Sequence, residues 1–146
     1  MDNEQTCPEC GAAWTDERRC RDCFDQMLAW EFEDPGGAGA VHHLTVLCYH
    51  LQHPSLYSPD GLAWARAALA EFVEQGTSPQ EMRRRSARAL DSGTRAWKVT
   101  GAPASYAVQP HWTLTVVDAA AGERAGHCAR VQAWARSVHA ALAAAP

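Results

Sequence analysis

Several things are scarce or missing in this chain of 146 residues, and each narrows what it can be. No run of 18 apolar residues occurs, so no segment reads as a membrane-spanning helix. Met1-Asp2-Asn3-Glu4-Gln5 is acidic and polar where a secretory signal is basic and then apolar, which makes a cytoplasmic location the expectation. Lysine occurs once, at Lys98, and the net charge of −4 leaves no positive excess to hold a nucleic acid. The glycine-rich dinucleotide fingerprint, the phosphate-binding loop, HExxH and GxSxG are all absent, so the sequence offers no support for the chemistry those motifs carry.

What is present suits one hydrophobic core. A chain of this length buries roughly 70% of the surface that its unfolded form exposes. Its 47% apolar and 21% charged residues are ordinary globular values. Charge is unevenly spread. Residues 1–34 hold ten acidic and three basic side chains, whereas residues 35–146 hold seven acidic and ten basic ones. The expected organisation is a cysteine-bearing knuckle plus first helix over 1–34, continued by a helical body with a β ribbon over 35–146, the two forming one compact unit.

The strongest motif is Cys7-Pro8-Glu9-Cys10-Gly11, followed by Cys20-Arg21-Asp22-Cys23. Two residues between a pair of thiolates let one tight turn aim both sulfurs at a single ion, and zinc takes four such ligands in a tetrahedron. Gly11 supplies the open backbone that the turn needs. Cys7, Cys10, Cys20 and Cys23 are therefore the predicted zinc ligands. Iron and a redox dithiol are the rival uses of such pairs. A four-cysteine site has no position for a reacting water, so the metal reads as structural.

Helical spacing of Phe24, Met27, Leu28 and Phe32 predicts a helix running from the second cysteine pair to Asp34-Pro35-Gly36-Gly37. A second helix is expected over 40–53, closed by Pro54. It carries Val41, Leu44, Leu47, Cys48 and Leu51 on one arc and His42, His43, Val46, Tyr49, His50 and His53 on the other. Ser58-Pro59-Asp60 opens a third helix that ends at Gly76, and Ser78-Pro79-Gln80-Glu81 opens a shorter one. Trp97 and Val99, and then Trp112, Leu114 and Val116, alternate with polar neighbours, which predicts a two-stranded antiparallel ribbon. A closing helix over about 126–144 presents Cys128, Val131, Trp134, Ala135, Val138 and Leu142. The fold class expected is α+β, mostly helical, with about five helices.

Four histidines fall within twelve residues. His43, His50 and His53 lie on one stripe, where their imidazoles can approach a common point as a second metal or ligand site, with His111, His127 or Asp118 as a further donor. The plainer reading is a set of polar or hydrogen-bonded histidines packed on the helix. A third is that one of them shares the N-terminal zinc. Cys48 and Cys128 read as buried small apolar side chains. Arg83, Arg84, Arg85 and Arg88 form a positive run whose ordinary role is a solvated face. Docking on the acidic N-terminal piece is the next reading, and nucleic-acid binding comes last.

Taken together, Cys-Pro-Glu-Cys-Gly at 7–11, His-His-Leu-Thr-Val-Leu-Cys-Tyr-His-Leu-Gln-His-Pro-Ser at 42–55, Tyr-Ser-Pro-Asp-Gly-Leu at 57–62, Trp-Lys-Val-Thr-Gly at 97–101 and Trp-Ala-Arg-Ser-Val at 134–138 resemble a family of short bacterial proteins of unknown function. The resemblance covers nearly the whole chain and implies a bacterial single-domain protein without implying a reaction. The leading functional expectation is a zinc-stabilised module that binds or regulates a protein or small-molecule partner. The rival is an enzyme using His43, His50 and His53.

Overall fold

In the computed structural model the described residues are 5–15, 18–82, 84–85 and 110–144. Four helices of more than ten residues carry most of them: α1 (Cys20–Glu33), α2 (His42–Gln52), α3 (Pro59–Gln75) and α4 (His127–Ala144). Each starts or stops where its sequence requires. Ser58 accepts a hydrogen bond from Gly61 N at 3.1 Å, with Pro59 at the first helical position of α3. Gly76 ends that helix at φ 72°, where the backbone is left-handed and a side chain would be strained. Ser78 caps Glu81 N at 3.1 Å, and residues 79–82 are helical.

Helix α2 lies at the centre, packed on α1, α3 and α4. The arc of Val41, Leu44, Leu47, Cys48 and Leu51 is buried, but so are Thr45, Tyr49, Gln52 and His53. An amphipathic pattern implies one solvated face. Here neighbours cover α2 on several sides, and its polar groups find protein partners. Gln52 is fully buried: it donates to Leu114 O at 2.7 Å and accepts from Trp134 Nε1 at 3.1 Å, joining α2, α4 and the segment before residue 116.

The β ribbon is corrected by the structure. Among the described residues there is no strand, so their class is helical and not α+β. Thr6 and Ala13 form a single antiparallel bridge. The alternation at Trp112, Leu114 and Val116 belongs to a bend followed by the one-turn helix Val116–Ala119. Thr115 N donates to Asp118 Oδ2 at 2.9 Å and its hydroxyl reaches the same oxygen at 3.3 Å, a capping box that commits the backbone to a helix. Trp97 and Val99, the other half of the expected ribbon, lie outside the described residues, as do Arg83 and Arg88. Arg84 pairs with Glu81, and Arg85 with Glu71 and Glu81, close by in the chain and on the surface. No helix among the described residues is long and apolar enough to cross a membrane.

Candidate metal centre

The knuckle is a tight turn closed by its own backbone. Cys7 N donates to Ala12 O at 2.9 Å and Gly11 N to Cys7 O at 3.0 Å. Gly11 takes φ 78°, a conformation that costs a glycine nothing. Cys10 N points at Cys7 Sγ at 3.5 Å. Cys20 is the first residue of α1, and Trp14 Nε1 donates to its sulfur at 3.1 Å. Cys7, Cys10 and Cys20 are each about 5% exposed or less, so three sulfurs are buried side by side.

The fourth group comes from the far end of α2. His53 is the residue at which that helix stops, ahead of Pro54, and its ring is 4% exposed. Nδ1 donates to Tyr49 O at 2.6 Å; because a carbonyl only accepts, the proton sits on Nδ1 and leaves the Nε2 lone pair free in the neutral ring. That atom is buried without a hydrogen-bond partner. It lies within 4.8 Å of the three sulfurs, as each of the four lies to every other. A carbonyl fixing the distal nitrogen is the usual way a protein orients a metal-ligating histidine. Tyr49 also stacks on the ring at a centroid distance of 4.2 Å and on Phe24 at 4.0 Å, holding it in place.

The spacing agrees with an ion at the centre. Cys10 Sγ and Cys20 Sγ are 3.6 Å apart. Four ligands about 2.3 Å from a zinc ion put tetrahedral corners about 3.8 Å apart, whereas a disulfide would close them to about 2.05 Å. Burial alone would lower the pKa of His53, but the side chains of Cys20 and Cys7 beside it push it up to about 10, because the sulfurs draw positive charge to the ring. The same contacts push Cys7 down and Cys10 up, so the sulfurs do not titrate independently. Three buried sulfurs and an unpartnered imidazole nitrogen within 4.8 Å of one another fit a metal.

This group differs from the four-cysteine expectation in one member. Cys23 is 2% exposed but stands outside the group, and burial pushes its thiol up against the opposing charge of Arg18. Cys20 and Cys23 share the first turn of α1, with Cys23 N bonded to Arg19 O, and three residues apart on a helix they are neighbours; it is His53, brought in by the end of α2, that stands within 4.8 Å of the other three. A second bond set fastens the turn to α2's end: Ser55 N and Oγ donate to the two carboxylate oxygens of Glu9 at 3.0 and 2.9 Å.

The other histidines go separate ways. His50 Nδ1 donates to Val46 O at 2.9 Å and its ring stacks on Tyr57 at 4.3 Å; burial lowers its pKa, keeping it neutral. His43 meets Trp64 edge-on at 5.8 Å. His111 is exposed and Asp118 serves as a cap. Among the described residues, the metal-type group that includes any of His43, His50 and His53 is the one His53 forms with the cysteines.

One polar cluster has no counterpart in the sequence reading. Glu31, 3% exposed, accepts from His42 Nδ1 at 2.7 Å, Thr45 Oγ1 at 2.6 Å and His127 Nε2 at 2.6 Å. Burial alone would raise its pKa, but the hydrogen bonds from His127, His42 and Thr45 win and lower it, so the carboxylate is charged. A signal for it exists: Cys20, Phe24, Met27 and Glu31 recur at i, i+4, i+7 and i+11, so Glu31, and not Phe32, continues the buried stripe. His127 likewise precedes Val131, Trp134 and Val138 at that spacing, which leaves Cys128 half-buried to the side, donating to Gly37 O at 3.3 Å.

Compared with known proteins, the chain matches one family model over residues 5–143 and belongs to that family, DUF5946, described as a family of unknown function. No curated protein and no solved structure is significantly similar to it.

Proposed function

We propose, for this member of a family without an assigned activity, that Cys7, Cys10, Cys20 and His53 hold one zinc ion and that the ion's role is architectural. The observation that carries this reading is the buried, unpartnered Nε2 of His53 facing three sulfurs. Three thiolates and one imidazole suit zinc above harder or redox-active ions. All four corners are protein side chains, which leaves no place for a substrate or a reacting water. The ion would tie residues 7–10 and the start of α1 to the C-terminal end of α2, closing a loop of more than thirty residues between Cys20 and His53. On this reading the helical body presents a stable surface to a protein or small-molecule partner, in the manner of a binding or regulatory module.

Metal counting on natively purified protein and four variants tests the assignment. One zinc per chain is expected in the wild type and in Cys23→Ser, with loss in Cys10→Ser, Cys20→Ser and His53→Ala. Loss in Cys23→Ser with retention in His53→Ala would restore the four-cysteine set. Absence of any transition metal from the native protein would end the proposal.

A further inference from the structure

The Glu31 cluster lies apart from the metal ligands, at the opposite end of α2. Its carboxylate is held by donors from three places: His42 and Thr45 on α2 and His127 at the start of α4. Thr45 and His127 fix Glu31 Oε2, leaving Oε1 for His42. Because the carboxylate accepts, His42 carries its proton on Nδ1, and its Nε2 is an unprotonated base in the neutral ring. The His42 side chain is 31% exposed and borders a cavity of about 150 Å³ whose other walls are Glu31, Phe32, Pro35 and Gly39. Gly39 is required there, since a Cβ at that position would come within 2.7 Å of Glu31 O. Phe32, 76% exposed, sits beside His42 with ring centroids 6.1 Å apart. Its apolar face lies outside the core, at the cavity mouth.

We propose that His42, oriented by Glu31, is a general base opening on this cavity, and that the cavity takes a small uncharged molecule offering one hydroxyl or N–H beside an apolar edge. The ligand class follows from the walls. No lysine or arginine lines the cavity to attract an anion, and both oxygens of Glu31 already accept hydrogen bonds, leaving it poorly placed for a cation. Phe32 and Pro35 offer apolar contact, and His42 Nε2 offers one acceptor. In the proton step, Nε2 takes the hydrogen of the bound hydroxyl or of a water, and the bonding pair stays on oxygen. The imidazolium so formed is balanced by Glu31 and returns its proton to product or solvent. A buried carboxylate on Nδ1 both fixes the tautomer and stabilises that imidazolium. Glu31 is thus a positioning residue and His42 the group that touches the ligand. This reading does not depend on the zinc assignment.

The natively purified chain can be tested with diethyl pyrocarbonate, whose carbonyl is attacked by the unprotonated imidazole nitrogen to give a carbethoxy-histidine, ethanol and carbon dioxide. Peptide mass spectrometry then compares His42 with the exposed His111 in the same molecule. The expected result is that His42 reacts several-fold faster than His111 although less of it is accessible. An equal or slower rate at His42 would overturn the proposal. A second probe, 4-nitrophenyl acetate, is expected to be hydrolysed with a pH profile that follows one deprotonation and to lose that component in His42→Ala; turnover unchanged in this variant would also overturn it. In Glu31→Gln, if the variant folds, the His42 rate should fall toward that of His111 and the pH profile should shift. A merely structural Glu31 would leave the profile of residual activity in place. The wild-type ratio decides the matter if Glu31→Gln does not fold.

Discussion

Helix α2 ends in two buried polar centres built on opposite logic. At its C-terminal end, three sulfurs and an imidazole nitrogen face one another, and the nitrogen has no partner. At its N-terminal end, a carboxylate accepts three donors. The first arrangement is incomplete without a cation, because lone pairs gathered out of water cost free energy unless something positive sits between them. The second supplies its own donors to the carboxylate, although His127 Nδ1 is left buried without a partner there too. An unpartnered buried nitrogen does not by itself mark a ligand site; three sulfurs within 4.8 Å of it do.

The contrast can be broken experimentally, and the largest effect belongs to the first centre. Removing the metal with a strong chelator should cost on the order of 10 kcal/mol of binding free energy coupled to folding in the knuckle. The readouts are a lowered thermal midpoint and new proteolytic cleavage within residues 5–15. An unchanged midpoint would place that centre in the same self-sufficient class as the second. Next comes Glu31→Ala, which leaves the imidazoles of His42 and His127 without their acceptor, Thr45 Oγ1 keeping Val41 O, and should cost about 3–5 kcal/mol in urea unfolding. A cost under about 1 kcal/mol would mean water replaces the carboxylate easily.

Acid should weaken the second centre in a definite direction. The folded-state pKa of Glu31 lies below its ordinary 4.5, so its contribution is full above that value and is lost as pH falls through the lower one. His50 acts with the same sign from a higher starting point: its pKa is lowered from 6.5, so the unfolded chain takes up a proton that the folded chain resists. Stability followed from pH 7 downward, with zinc content measured in parallel, should fall in two stages. Stability constant to pH 4 would contradict the burial assigned to His50. The smallest effect is expected from Ser55→Ala, about 1 kcal/mol from the loss of one hydroxyl bond to Glu9. It should speed zinc release without abolishing binding, which would separate the clamp from the ligands.

Local signals were readable where chemistry acts within a few residues. The caps at Ser58 and Ser78, the stop at Gly76, the turn at Gly11 and the apolar arc of α2 all follow from neighbours along the chain. Trp112 to Val116 shows the limit: alternation resembles a strand until Thr115 and Asp118 are seen to cap one another, and a ribbon needs a partner that spacing cannot supply. Glu31 and His127 were also legible, since both fall on buried stripes where an ionisable side chain must find company.

By itself, the sequence determined that two cysteine pairs stand beside the start of a helix, that further helices open at the Ser58 and Ser78 caps, and that histidines crowd one helix. Only the tertiary structure decided which side chains share a centre. Cys20 and Cys23 share a helical turn, yet the group within 4.8 Å is completed by His53, which packing carries across from a segment thirty residues distant. Spacing fixes which face a side chain occupies; which faces meet is settled by the long-range packing of α1, α2 and α4, and that is where both centres arise.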